Sequence, residues 1–126
     1  MHLIIGGYAQ GKLSYVKSKY NIPDTEICHG DTQDFETCPG KKVYDKLHLY
    51  LKRKMQQQAD IPALMEQFLR DNPSCILICD EIGNGIVPVL DTERTYREQV
   101  GRMLCMAAEQ AESVERIICG ISQKIK

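Results

Sequence analysis

An apolar run, Leu3-Ile4-Ile5, leads directly into Gly6-Gly7-Tyr8-Ala9-Gln10-Gly11-Lys12, and a helical stretch follows. This order constrains the fold more than any other feature of the chain. A strand that breaks into a glycine-rich loop and restarts as a helix aims backbone N–H groups at one point. The positive end of the new helix backs them, which suits phosphate oxygens. The G-x-x-x-x-G-K spacing adds Lys12 as a point charge for the β- and γ-phosphates. In the usual motif a Ser or Thr follows and its hydroxyl ligates Mg²⁺. Here that position is Leu13, and the nearest hydroxyl is Ser14. Ser14 does not simply substitute, because adjacent helix residues point about 100° apart. The expected nucleotide-binding residues are therefore Gly6, Gly7, Tyr8, Ala9, Gln10, Gly11, Lys12, Leu13 and Ser14, with altered metal handling. The competing reading is a glycine-rich turn with a surface lysine.

The second strong element is Cys75-Ile76-Leu77-Ile78-Cys79, closed at once by Asp80-Glu81. A continuous apolar run suits a central parallel strand buried on both faces. A strand ending in acid suits cation handling: Asp80 can hold Mg²⁺ and Glu81 can orient a nucleophile. The alternative role for both acids is to cap the loop that follows. Gly83, Gly85 and Pro88 predict a loop there.

Elsewhere the spacing predicts helices over residues 12–20 and 43–58. A third helix follows Asp60, which can cap it, with Pro62 in its first turn. Thr92 is a candidate cap for a long helix with Tyr96, Val100, Met103 and Ala107 on its apolar face. Residues 26–28 read as a weak strand, and Arg116–Ile121 as the last one. Residues 29–42 read as a loop long enough to suggest mobility or ligand contact. Strands alternating with helices imply right-handed crossovers and a parallel sheet. The expected fold is α/β: a P-loop-like three-layer sandwich with a mostly parallel central sheet of about four to five strands. The phosphate loop and Asp80-Glu81 would then share the carboxyl edge, where such sheets bind ligands.

The length of 126 residues suits one domain, expected to be a nucleotide-binding domain over residues 1–126. A formal net charge of -1 argues against nucleic-acid binding driven by overall charge. No apolar run is long enough to span a bilayer and no secretory leader is visible, so no membrane partner and a cytoplasmic location are expected. None of the six cysteines forms C-x-x-C, so buried free thiols are expected rather than a metal centre. A zinc site using Cys28, His29 and Cys38 lacks an evident fourth ligand.

Several segments resemble the bifunctional adenosylcobinamide kinase/adenosylcobinamide-phosphate guanylyltransferases. Asp80-Glu81-Ile82-Gly83-Asn84-Gly85-Ile86-Val87-Pro88 is similar to their N-E-V-G-x-G-I-V-P segment. Tyr96-Arg97-Glu98-Gln99-Val100-Gly101-Arg102 resembles F-R-D-x-x-G-R-x-N, and the phosphate loop resembles G-G-x-x-S-G-K-S. Gly120-Ile121 to Lys126 resembles the closing strand and tail. Asp45-Lys46-Leu47-His48-Leu49-Tyr50-Leu51 resembles D-C-L-T-L-W-L, which would put Asp45 at a strand end and start the helix near it. The resemblance implies a P-loop enzyme of cobalamin assembly that binds GTP or ATP with Mg²⁺ and phosphorylates a corrinoid. On that footing Lys12, Glu81 and Asp45 are the expected catalytic residues, and Asp80 and Asp45 the metal ligands. The chain departs from the pattern at Gln10, Leu13 and Asp80, where relatives carry Ser, Ser or Thr, and Asn. The stretch that carries the family's guanylylated histidine is sharply shortened. Neither His29 nor His48 matches its motif, and His48 is expected to be an ordinary helix residue.

Three functions stay open at this point. One is a compact cobinamide kinase-like phosphotransferase, with doubtful guanylyltransferase activity. Another is a non-catalytic nucleotide-binding regulator or partner, and the third a different phosphotransferase or nucleotidase that uses the same scaffold on another substrate. The acceptor, ATP versus GTP, and assembly as a homo-oligomer are open too.

Overall fold

A computed structural model describes residues 1–82 and 90–126, so the loop expected at Gly83, Gly85 and Pro88 lies outside the described residues. Among the described residues six strands form one sheet: β1 (His2–Gly6), β2 (Ile27–His29), β3 (Val43–Asp45), β4 (Ile76–Asp80), β5 (Ser113–Ile118) and β6 (Ile121–Lys124). Their order is β2-β3-β4-β1-β5-β6, with the first five parallel and β6 antiparallel to β5. Four helices accompany them: α1 (Lys12–Tyr20), α2 (Leu47–Gln56), α3 (Ile61–Asp71) and α4 (Asp91–Gln110).

Strand alternation divides the core in two. Leu3, Cys28, Tyr44, Leu77, Cys79 and Val114 face a large cluster that also holds buried residues of α2, α3 and α4. Ile4, Ile27, Val43, Ile76, Ile78 and Ile117 face the other way and pack with Val16 of α1. The sheet is thus the middle of three layers. β4 sits between β3 and β1 with cover on both faces, which explains why its sequence is apolar without alternation.

The phosphate-loop helix begins at Lys12 and ends at Tyr20 as its sequence implies, and Asp60 caps α3 by accepting from the Ala63 N–H at 3.2 Å. Three expectations are corrected. The periodicity over 43–58 does not make one helix: Val43–Asp45 is strand β3, paired with β2 and β4. Lys46 in the left-handed region (φ 58°) turns the chain into α2, as the resemblance implied. Val43 and Tyr44 are fully buried on opposite faces, a sheet requirement that helical spacing of Tyr44, Leu47 and Leu51 had masked. Next, Thr92 is not the cap of α4; the helix starts at Asp91 after an extended Leu90, with no side-chain cap hydrogen bond. Finally, Arg116–Ile121 is two strands. Cys119 and Gly120, at φ 50° and 76°, make a two-residue hairpin turn that raises the strand number to six.

The 29–42 segment is held against α2. Phe35 stacks on Tyr50 with ring centroids 4.1 Å apart, and Arg53 donates to the Gly30 and Gln33 carbonyls and to Asp34. Tyr50 and Lys54 both donate to Glu36. The segment's length therefore serves packing. Cys28, Cys38, Cys75 and Cys79 are buried thiols, whereas Cys105 and Cys119 are exposed, Cys119 because it occupies the hairpin turn. Burial pushes the Cys28 thiol up to about 12, and Cys38 beside it adds to the effect. Among the described residues no helix is long and apolar enough to cross a membrane.

Candidate functional site

The parallel register brings the ends of β1 and β4 level, with Gly6 opposite Asp80. β3 ends beside them at Asp45. These three ends and the first turns of α1 and α2 enclose a cleft of about 450 Å³. Its lining comprises the loop from Tyr8 to Ser14 together with Asp45, Lys46, His48, Leu49 and Asp80.

Gly6 and Gly7 carry the chain out of β1 and are not among the residues lining the cleft. Tyr8 is exposed, and Ala9 takes a left-handed turn (φ 55°). Gly11, at φ 88°, precedes α1 and offers no side-chain cap. The first amides of α1 have no intrahelical partner and face no competing side-chain acceptor from that position. Lys12 is buried, and its ammonium donates to the Gly7 carbonyl at 2.7 Å and pairs with Asp80 Oδ1 at 2.6 Å. Leu13 turns partly into the isoleucine core around Val16, which accounts for an apolar residue where a hydroxyl is usual. Ser14 is exposed on the helix beside it.

Asp45 is 5% exposed, and burial pushes its carboxyl above the usual range. Its Oδ1 accepts the Lys46 N–H at 2.8 Å, and its Oδ2 stands 3.6 Å from His29 Nδ1. Lys46, the other lysine of the cleft, pairs with Asp31 at 3.0 Å. Glu81 departs from expectation. Adjacent residues leave a strand on opposite sides, so while Asp80 enters the cleft Glu81 turns to β5, where Arg116 holds it at 3.1 Å. Glu81 is absent from the cleft lining, and the expectation that both acids face one crevice is corrected for it.

Two residues take parts that sequence reasoning did not assign to them. His48 is not an ordinary helix residue: it lies in the first turn of α2, buried and in the cleft wall. Its Nδ1 accepts the Asp80 N–H at 3.2 Å, and its Nε2 faces Asp80 Oδ2 at 3.3 Å. Burial lowers its pKa despite the nearby carboxylate, which favours the neutral ring with the proton on Nε2. Tyr96 of α4 donates to the His48 carbonyl at 2.9 Å and fixes that turn. The available signal was position, since a residue three beyond a strand-end acid falls on the same edge. Gln10 is the other. Its side-chain oxygen accepts the Cys119 N–H at 2.8 Å and its carbonyl accepts the Gly120 N–H at 2.8 Å. The hairpin turn thus clasps the Gly6–Lys12 loop through Gln10.

A family model described as cobinamide kinase / cobinamide phosphate guanyltransferase matches residues 37–125. The chain belongs to this family. The cobinamide kinase / guanyltransferase match takes in Asp45, His48, Asp80 and the Cys119-Gly120 turn. It begins after the Gly6–Lys12 loop, whose reading therefore stands on its own geometry. Membership supports, in general terms, a nucleotide-binding function of the kinase or transferase kind. No curated protein matches the chain.

Proposed function

We propose that this chain binds a nucleoside triphosphate, GTP or ATP, on the Gly6–Ser14 loop and transfers its terminal phosphoryl group to the hydroxyl of a cobinamide-type acceptor. The observation that carries this is the convergence of Lys12, Asp45 and Asp80 on one cleft, from the start of α1 and the ends of β3 and β4. The uncapped start of α1 offers amides to the phosphates, and Lys12 supplies a positive charge to the transferring group. Asp45 stands on the opposite wall. A buried carboxylate with a raised pKa suits it to take the proton of the acceptor hydroxyl. Glu81, bound to Arg116, acts at most through the sheet edge.

Mg²⁺ fits the donor set as part of the substrate rather than as a resident ion. Asp80 and Asp45 provide hard carboxylate oxygens in one cleft, while Leu13 provides none. No group of three or more metal-ligating side chains occurs among the described residues. Magnesium is commonly held by one or two carboxylates plus substrate phosphates, and it neutralises their charge during transfer.

Guanylyl transfer through His48 is not supported by its ring contacts. His48 Nδ1 receives the Asp80 N–H, and Nε2 in the neutral ring carries the proton facing Asp80 Oδ2, so neither nitrogen presents a free lone pair. A second reading, a nucleotide-binding regulator without transfer chemistry, is favoured by Leu13 alone.

Lys12→Ala should weaken triphosphate binding at least tenfold by calorimetry, since it removes a charge-assisted phosphate contact of about 1.5–3 kcal/mol. Equal affinity in the two proteins would refute the site. Incubation with GTP labelled in its α-phosphate and Mg²⁺ should leave no acid-labile label on the chain. Stoichiometric label at His48 or His29 would reverse the conclusion on guanylyl transfer.

A further inference from the structure

We infer that Asp80 makes the cleft selective for the divalent-cation complex of a polyphosphate over the free polyphosphate anion. This rests on the proposed phosphate site and adds what that site discriminates. Among the described residues, the charges lining the cleft are two lysines, Lys12 and Lys46, and two aspartates, Asp45 and Asp80. Each lysine is already paired with a carboxylate, Lys12 with Asp80 at 2.6 Å and Lys46 with Asp31 at 3.0 Å. The cleft therefore has no formal net positive charge to offer a polyanion. A free polyphosphate reaching Lys12 must break the pair with Asp80 and then lie against the carboxylate it displaced. A like charge placed against the wrong ligand is one of the two ways a site discriminates.

The cation complex meets a different balance. Its phosphate oxygens take Lys12 while its cation takes Asp80, so one ion pair is exchanged for two favourable contacts. The Asp80 carboxylate is steadied on its other side, where Oδ2 faces His48 Nε2 at 3.3 Å. The Asp80 N–H, donated to His48 Nδ1, holds the ring in that place. The Tyr96 hydroxyl locks the turn that carries His48. His48 is a positioning residue in this scheme, and Asp80 is the residue that determines specificity. An asparagine at position 80, as in the relatives' N-E-V-G segment, would still face Lys12 but would not repel the anion.

The test uses the full chain and inorganic tripolyphosphate, titrated calorimetrically with excess Mg²⁺ and separately with a chelator. The wild-type protein should bind the Mg²⁺ complex at least about tenfold more tightly than the free anion. Asp80→Asn should strengthen binding of the free anion severalfold, weaken binding of the complex, and bring the ratio near one. His48→Ala, which frees Asp80 to move, should reduce the ratio in part. A wild-type ratio near one overturns the inference without recourse to any variant, as does an unchanged ratio in a folded Asp80→Asn protein. Absence of binding in both titrations would instead remove the phosphate site on which the inference rests.

Discussion

At the residue scale, side chains with no chemistry of their own set the site. Gln10 joins the phosphate loop to the β5–β6 turn through two hydrogen bonds, one from its side chain and one from its backbone. Only the side-chain bond is removable by substitution. The Cys119 N–H lies in an exposed turn, so water can replace the lost acceptor and folding stability should hold. The loop loses its lateral tether, and ordering it then falls to the ligand. Gln10→Ala is expected to reduce triphosphate affinity about three- to tenfold, near 1 kcal/mol, while shifting the melting temperature little. Calorimetry and thermal unfolding on the same preparation check this. Unchanged affinity would show that the clasp is incidental.

At the element scale, α1 is tied to the sheet by polar contacts as well as by Val16. Glu115 of β5 accepts from Tyr15 at 2.8 Å, from Lys19 at 3.1 Å and from Ser122 of β6 at 2.8 Å. One carboxylate thus joins α1, β5 and β6. Burial pushes this carboxyl up, but the hydrogen bonds from Ser122, Tyr15 and Lys19 outweigh it and hold it below the ordinary 4.5. A depressed folded-state value stabilises the protein in full above the unfolded pKa. That stabilisation is lost as pH falls through the lower, folded one. Acid unfolding below about pH 4.5 should therefore be steeper in the wild type than in Glu115→Gln, which carries no titrating group there. Denaturant midpoints measured from pH 6 to pH 3 test this, and parallel curves would contradict it. Tyr44 plays a comparable part on the other face: its hydroxyl lies 2.6 Å from the Cys38 carbonyl and 2.9 Å from Asn72 Oδ1, joining β3 to the end of α3.

At the scale of the whole molecule, the two cores meet back to back across β1, β3 and β4, so neither helical layer has a sheet of its own. We propose on this ground that residues 1–126 form a single domain. The chain has no tryptophan and six tyrosines, so tyrosine fluorescence and far-UV circular dichroism are the two natural probes. Their thermal transitions should coincide. Mg²⁺-triphosphate at about a hundredfold excess over its Kd should add about 2.7 kcal/mol to stability by mass action. At the same ligand concentration that gain should fall to about 1.4 kcal/mol or less in Lys12→Ala. Separate transitions would divide the domain, and an undiminished gain in Lys12→Ala would move the ligand elsewhere.

The sequence by itself determined the glycine turn after β1, α1 from Lys12 to Tyr20, the cap at Asp60 and the buried strand before Asp80. Each is a local statement, since glycine conformation, helix capping and an unbroken apolar run depend on neighbours within a few residues. It also placed Lys12, Asp45 and Asp80 as candidates, and these three share the cleft. Tertiary structure decided the rest. β3 is a strand because two neighbours bind its backbone, which outweighs the helical spacing of its side chains. Glu81 leaves the cleft because a strand alternates and Arg116 waits on β5. His48 enters it, and Gln10 binds a turn more than a hundred residues away, because parallel pairing sets the strand ends level. These contacts join residues far apart in the chain, and only the order of the strands in the sheet brings them within hydrogen-bond reach.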